Sequence, residues 1–286
     1  MDFAFNASAL GVGGVIERGN VITTIPSLAS VALAPTGGEG RSVVSNYFSE
    51  ELEFSHAETR VFGRKVVGAD GKPEFTTYTY VLIKDVRIFD KIRIAEMSST
   101  VTSTRGLEDG DDHAFELVLS YRGVRVNGRE IGPKVDLRLC QLKRYDELNQ
   151  ILTAQRKPSA EVQALARRFN ATPEQLAQLV REKKPVQGSV VESLEGVGQR
   201  PSPSTIFVRG LGTVRFGELM IKPGRRRLNL LRINFGDPPP QHEGAMPHAL
   251  MTDAMDDPIE EAISTKPTGG SITMGSGEGN GTPIGP

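Results

Sequence analysis

The stretch that decides the fold is FELVLSYRGVRVNGREIGPKVDLRL, residues 115–139. Apolar side chains alternate along its first half, beginning with Phe115 and Leu117, which is the period of a strand with one buried face. The turn Asn127-Gly128 follows. Asn-Gly supplies the two positive-φ residues that a type I′ hairpin turn needs. The sequence therefore predicts a β-hairpin here, with the residues up to Leu139 as its return strand.

Alternating segments also lie before and after this hairpin. Phe75 to Ile83 alternates aromatic and aliphatic residues with threonines, and Val214 to Ile221 and Leu228 to Phe235 flank the turn Lys222-Pro223-Gly224. The 31 glycines and 18 prolines predict many further turns. We therefore predict a mainly antiparallel β protein, a β-sandwich or related two-sheet architecture, with a helical insertion and an extended C-terminal arm.

The period of the apolar residues changes after Leu142. Three segments then have helical spacing: Asp146 to Gln155, Ala160 to Phe169 and Pro173 to Lys184. Thr172 directly precedes the third segment, and Gln175 lies three residues after Thr172. This spacing is the pattern of a capping box. We interpret this block as an insertion into an otherwise β-rich sequence.

These changes divide the chain into four parts. We predict a first β-rich part at 1–142, the helical insertion at 143–185, closing strands at 186–236, and a Pro/Gly-rich C-terminal arm at 237–286. The last residues, 269–286, are mostly Gly, Ser and Thr, a composition that is typical of disorder because it buries little apolar area.

Composition and charge narrow the class of protein. Hydrophobic residues make up 38% and charged residues 24%, as in a soluble globular protein, and the formal net charge of −1 gives no overall attraction to nucleic acid or anionic membrane. The single Cys140 excludes an intramolecular disulfide and a cysteine zinc site, and we expect it to be buried as a small apolar residue.

The N-terminal residues predict the location of the protein. Asp2 stands where a secretory signal would be basic, and glycines break the short apolar runs that follow. No stretch reaches the roughly 18 consecutive apolar residues of a membrane span. We expect a cytoplasmic protein without a membrane partner, and export by a non-classical route stays open.

Motifs for catalysis are missing from the sequence. It has no nucleophile elbow, phosphate-binding loop or zinc-protease motif, and its four histidines have no ligand-spaced partners. Distant carboxylates could still form a glycosidase pair. His56 stands two residues before Glu58 and could form an acid/base pair with it.

The acidic loop Glu108 to Asp112 offers oxygen ligands of the kind that calcium prefers, but it lacks the residue order of an EF-hand. Metal binding in this loop therefore stays open. We expect no cofactor and favour a non-catalytic protein.

The favoured function is structural. The densest basic cluster is Arg225-Arg226-Arg227, where Arg225 and Arg227 would share one face of a strand and Arg226 would take the other. The arm contains one strand-like segment, formed by Ser271, Ile272, Thr273 and Met274. Such a segment could add to the sheet edge of a neighbouring chain. We therefore predict self-assembly into a homo-oligomer or polymer, with these seven residues as interface candidates.

Two alternatives rest on the helical insertion. Ala164 to Val180 resembles a helix-turn-helix, which implies that the second helix enters a major groove and places Gln175, Gln178 and Arg181 against nucleic acid. In this alternative the cluster Arg225, Arg226 and Arg227 also contacts the nucleic acid. Glutamates beside the three helix residues make nucleic acid a possible partner that is not favoured. The same segment resembles the helical centre of a LysM carbohydrate-binding module, without its flanking strand motifs. That resemblance implies a carbohydrate- or ligand-binding β protein, which should have a pocket with convergent polar groups.

Overall fold

A computed structural model describes residues 2–106, 113–142, 144–153, 158–197, 202–236 and 267–284. Within these ranges the strands, numbered in chain order, are β1 Asp2–Arg18, β2 Val21–Ala32, β3 Gly38–Phe48, β4 Leu52–Val67, β5 Pro73–Ile88, β6 Ile92–Gly106, β7 Ala114–Val126, β8 Arg129–Glu130, β9 Gly132–Val135, β10 Val186–Ser189, β11 Val191–Glu195, β12 Thr205–Val208, β13 Gly212–Lys222, β14 Arg225–Phe235 and β15 Gly269–Ile284. The helices of the same ranges are α1 Leu137–Gln141, α2 Tyr145–Thr153, α3 Ala160–Arg168 and α4 Pro173–Arg181.

The strands of the described ranges form two large antiparallel sheets and one small one. The seven-stranded sheet has the order β10-β13-β14-β15-β1-β2, with β12 also paired to β13. The six-stranded sheet runs β3-β4-β5-β6-β7-β8 in sequence order, and β9 pairs with β11 in a two-stranded sheet. The prediction of a mainly antiparallel, two-sheet β architecture is therefore confirmed.

The main core lies between the two large sheets. Strand β6 shows this, because its side chains alternate between buried and less buried along most of its length, so that one face is packed inside. The first part of that face is apolar (Ile92, Ile94 and Met97), and its later part also contains Ser99, Ser103 and Arg105. Val12 and Ile16 of β1, Ile83 of β5 and Ile272 of β15 have no exposed surface and belong to this one cluster. Face-to-face packing of this kind is that of a β-sandwich.

A second core joins the helices to the sheets. Phe115, at the start of the hairpin strand β7, is fully buried and belongs to one cluster with Leu148 of α2, Leu165 of α3 and Leu176 of α4. The capping box is present, since Thr172 Oγ1 accepts from the backbone N–H of Gln175 and the Gln175 side chain accepts from the N–H of Thr172. In the described ranges no helix is both long and apolar enough to cross a membrane.

The hairpin turn is confirmed, but its predicted return strand is wrong. Asn127 and Gly128 have φ values of 49° and 75°, as the turn requires. The return strand β8 ends after two residues, and β9 pairs with β11 instead of continuing beside β7. Asp136 then caps α1 by accepting from the backbone N–H of Arg138, so residues predicted as strand form a helix.

Cys140 is buried, as predicted. It lies in the core beneath the helices with 7% of its surface exposed. Burial raises the pKa of its thiol to about 11, and the nearby Asp136 carboxylate adds to the rise. The thiol is therefore uncharged at neutral pH, as a packing residue should be.

The disorder expected for the C-terminal tail is wrong for residues 269–284. These form β15, which lies between β14 and β1 and pairs with both. Small residues make this possible: a Cβ on Gly14 would lie 2.2 Å from the carbonyl oxygen of Ser271, and one on Gly277 would lie 2.9 Å from Thr79 Oγ1. Glycine lets the neighbouring backbone and the opposite sheet approach closely.

Candidate assembly surface

The three arginines of the basic cluster do not form one surface. Arg225 and Arg227 share a face of β14 and Arg226 takes the other, as predicted, but that other face is the interior. Arg226 has 1% of its surface exposed, its guanidinium lies 4.6 Å from the ring centroid of Phe115, and it donates to the Lys222 carbonyl oxygen at 2.8 Å. Arg225 forms an ion pair with Glu278 of β15. Arg226 must therefore be removed from the interface candidates, and Arg227 is the exposed member of the cluster.

The strand-like segment of the C-terminal arm is already paired on both sides. Ile272 lies opposite Gly14 of β1 and opposite Ile233 of β14. Ile272 and Met274 have no exposed surface, while Ser271 and Thr273 are half-buried on the opposite face. The strand propensity was predicted correctly, but its partners are strands of the same chain. In this arrangement the segment offers no free backbone edge to a neighbour.

The residues of the nucleic-acid alternative lie on the exposed side of α4. The Gln175 side chain is used in the capping box, and Gln178 donates to Glu182 at 2.9 Å. Arg181 is exposed in the last turn. With Arg226 buried, the basic cluster that was to assist this helix loses its central member. Of the three named residues only Arg181 carries a positive charge, and the neighbouring Glu182 is paired with Lys184 at 2.7 Å. This mixed set of charges offers little to a phosphate backbone.

A buried Ser–His contact lies between the sheets. Ser103 Oγ is 2.9 Å from His113 Nδ1, a distance at which a base could activate a hydroxyl. The two residues have 1% and 3% of their surface exposed, so a substrate cannot reach them. Arg105 lies 3.5 Å from the other ring nitrogen and donates to the Gly281 carbonyl oxygen at 3.3 Å. The group therefore ties β15 to the opposite sheet. His113 lies two residues before the buried Phe115, so strand alternation places both side chains on the same inward face. This spacing could have predicted the buried position of His113 from the sequence.

In the part of the chain that the structure describes, no group of three or more His, Cys, Asp or Glu residues could hold a metal ion. The acidic loop Glu108 to Asp112 lies outside the described residues.

Two strands at the sheet edges carry the exposed apolar residues that sequence reasoning missed. Within the described ranges β2 ends the seven-stranded sheet and β3 ends the six-stranded one. Four of the eight large apolar side chains exposed in these ranges belong to the two strands: Val21 (63%), Ile22 (67%), Val43 (41%) and Phe48 (75%). Edge strands of monomers are usually protected by charges, prolines or bulges. An apolar edge therefore marks a candidate contact surface.

Strand β2 is the less protected of the two. Its sequence, VITTIPSLASVA, contains no charged residue. Pro26 lacks a backbone N–H, and Ala29 has a φ of 49°, which interrupts regular pairing. These two residues limit the regular free edge to residues 21–25, which include the two most exposed apolar side chains of the strand. We call residues 21–25 the β2 edge.

An ion-pair cluster fixes the end of the sandwich where the β2 edge begins. Arg18, at the end of β1, lies 2.9 Å from Glu51 Oε1 and 3.4 Å from Glu50 Oε2. Its guanidinium also lies 5.2 Å from the ring centroid of Phe89. Glu50 and Glu51 follow Phe48, so this cluster holds the β1–β2 turn beside the β3–β4 turn. The exposed side chains of Val21 and Phe48 are therefore at the same end of the molecule.

The fold defines the chain as a two-sheet antiparallel β protein with a block of short helices packed on one end of its core. By sequence it belongs to the family described as "Domain of unknown function (DUF8256)", whose model matches residues 3–222. The matched part ends with β13, so β14 and β15 complete the sheet from outside it. A search of curated proteins and a search of solved structures gave no match.

Proposed function

We propose that this protein is a non-catalytic structural protein that self-associates through the β2 edge into a homo-oligomer. The observation that supports the proposal is the uncharged strand β2 at the end of the larger sheet, with Val21 and Ile22 exposed at 63% and 67%. Pairing would satisfy the free backbone groups of the edge and bury both side chains.

A second copy of the chain is the partner that fits this edge. In an antiparallel pair related by a two-fold axis, each residue of one strand meets a residue of the same strand in the other copy. Like charges directly opposite each other destabilise such pairs, and β2 carries none. Phe48, at the same end of the molecule and 75% exposed, would enlarge the apolar contact.

The proposal is tested by replacing the apolar residues of the edge with lysine. Full-length protein is studied by light scattering at several concentrations, with the double variant Val21→Lys/Ile22→Lys beside it. We expect the unchanged protein to form an oligomer, and the variant to be monomeric because four lysines would meet at the two-fold contact. Its circular dichroism should be unchanged, since both residues are exposed.

The matched control places lysines at exposed apolar residues elsewhere. Val67 and Val118 are exposed at 78% and 64%, at the end of β4 and on β7. The variant Val67→Lys/Val118→Lys should keep the oligomer. A protein that is monomeric at every concentration contradicts the proposal, as does an oligomer that both double variants leave equally intact.

A further inference from the structure

A cleft of about 660 Å³ opens on the solvent face of the six-stranded sheet, across β3, β4 and β5. Its lining consists of Glu39, Gly40, Arg41, Arg60, Val61, Phe62, Tyr78 and Tyr80. The volume is that of a small-molecule site, and the lining combines aromatic rings with a few charged groups. The cleft is separate from the β2 edge, so an inference drawn from it is independent of the proposed function.

The carboxylate of Glu58 holds two arginines of the cleft together. Its side chain is 8% exposed, and Oε1 accepts from Arg41 Nε at 2.6 Å and from Arg60 Nε at 2.7 Å. His56 Nε2 lies 3.5 Å from the other carboxylate oxygen. Burial by itself raises the pKa of Glu58, but the hydrogen bonds and charges of the two arginines outweigh it and lower the pKa to about 2. Glu58 is therefore ionised at neutral pH.

Aromatic rings contact two guanidinium groups on this face of the sheet, those of Arg60 and Arg64. Arg60 lies 6.0 Å from the ring centroid of Tyr80, and Arg64 lies 5.4 Å from that of Phe62. Phe62 in turn stacks on Tyr78 at 4.8 Å between ring centroids. Such contacts hold a guanidinium flat against a ring.

The arginines keep donors for a ligand. Arg41 and Arg60 contact Glu58 through Nε, and their side chains are 60% and 55% exposed. A guanidinium that uses Nε in one contact still carries the N–H groups of its two terminal nitrogens, which match the oxygens of a phosphate or carboxylate. Glu58 already holds the side chains of Arg41 and Arg60 in place, so these two side chains would lose little conformational entropy when a ligand binds.

We propose that this cleft binds the oxyanion of a small ligand, a phosphate or a carboxylate, between Arg41 and Arg60, with the body of the ligand against Tyr78 and Tyr80. The local charges agree, because three arginines (Arg41, Arg60 and Arg64) stand against two carboxylates (Glu39 and Glu58) in a chain whose net charge is −1. Phosphate and carboxylate groups are both oxyanions that arginine binds in the same way.

The binding test uses isothermal titration calorimetry on the full-length protein. Adenosine monophosphate is the phosphate probe and glucuronate the carboxylate probe, with adenosine and glucose as their neutral counterparts. We expect one or both anions to bind and the neutral counterparts not to bind. Binding of only one anion identifies the oxyanion as a phosphate or as a carboxylate, and binding of both shows that the site recognises either group. If neither anion binds at millimolar concentration, the proposal is wrong.

Variants of the cleft locate the site. Arg41→Gln and Arg60→Gln should each weaken binding by roughly tenfold or more, the effect expected for one charged hydrogen bond. Arg93→Gln is the matched control, because the Arg93 side chain is 61% exposed on the same sheet and pairs with Asp90 near the β5–β6 turn. Equal losses in Arg60→Gln and Arg93→Gln would show attraction by overall charge and would overturn the site.

Glu58→Gln separates a preorganised site from simple attraction. The change raises the net charge of the protein by one elementary charge, so an anion that is attracted by net charge alone would bind more tightly. In the proposed site binding becomes several-fold weaker, because Arg41 and Arg60 lose their common anchor. Circular dichroism of the variant checks that it is folded. Tighter binding by a folded Glu58→Gln variant contradicts the proposal. The Val21→Lys/Ile22→Lys variant should bind unchanged, so failure of either proposal can be recognised separately.

Discussion

Deletion of residues 267–286 should leave a chain that does not fold. The deletion removes β15 from the middle of the seven-stranded sheet, and both β1 and β14 lose their partner. Burial of Ile272 and Met274 alone contributes about 3–6 kcal/mol. The hydrogen bonds of two ladders add about 1 kcal/mol each. The sum reaches the roughly 5–15 kcal/mol by which a typical domain is stable. Circular dichroism and thermal unfolding would show the loss as a missing cooperative transition.

The matched control for this deletion removes the connection and keeps the strand. Asn234 of β14 lies opposite Ser271 of β15, and neighbouring strands are about 5 Å apart, so a short Gly-Ser linker can replace residues 237–266. We expect this variant to unfold cooperatively, near the melting temperature of the full-length protein. A synthetic peptide of residues 267–286 should also restore the transition of the deleted chain. A deleted chain that melts like the full-length protein would contradict the central position of β15.

Asp136→Ala should lower the free energy of unfolding by about 3–5 kcal/mol, the usual cost of leaving a buried charge without its partner. Arg168 of α3 forms an ion pair with Asp136, and the two side chains are 3% and 5% exposed. Burial lowers the pKa of Arg168, although the Asp136 charge opposes this. Asp136 also caps α1, so the variant loses a helix cap as well. Urea unfolding followed by circular dichroism would measure the change.

Glu161→Ala is the control for a surface ion pair. Glu161 pairs with Arg138, and both side chains are about 60% exposed, so removal should cost less than about 1 kcal/mol. Replacing Asp136 and Arg168 together by leucine and methionine should restore much of the loss, because the uncompensated charge is gone. A loss below 1 kcal/mol in Asp136→Ala would show that Arg168 finds another partner or reaches water.

Local sequence signals predicted the local elements well. The turn at Asn127-Gly128 and the capping box of Thr172 and Gln175 are set by backbone conformation and by hydrogen bonds within a few residues. The return strand was predicted wrongly because its partner is β11, some sixty residues further along the chain, and local alternation does not report that pairing. The partner of a strand is decided by tertiary contacts.

The glycine-rich strand β15 was missed for a different reason. A composition argument counts the apolar area that a segment can bury with its own side chains. β15 instead gains hydrogen bonds on both edges, and its glycines leave space that Thr77 and Thr79 of the opposite sheet fill. The fit therefore depends on residues from distant parts of the chain.

The cleft was also beyond local reasoning. The sequence shows Glu58 between His56 and Arg60, but Arg41 joins them only through the register of the β3–β4 pair. Tyr78 and Tyr80 complete the lining, because the register of β5 places them opposite Phe62 and Arg60 of β4. With the register of these three strands known, the side chains on their solvent face could have been grouped in advance.

The pairing of β1 with β15 has a consequence for the order in which the chain folds during its synthesis. The six-stranded sheet is made of consecutive hairpins, so each strand can find its partner soon after leaving the ribosome. The other sheet pairs Asp2 with Ile284, so one edge of β1 stays open until β15 has been translated. Hairpins of the six-stranded sheet can therefore form early, but the core between the two sheets cannot be completed before β15 is present. Pulse proteolysis of stalled chains should cut both sheets until residues 269–284 have left the ribosome, and a chain that becomes resistant earlier would contradict this order.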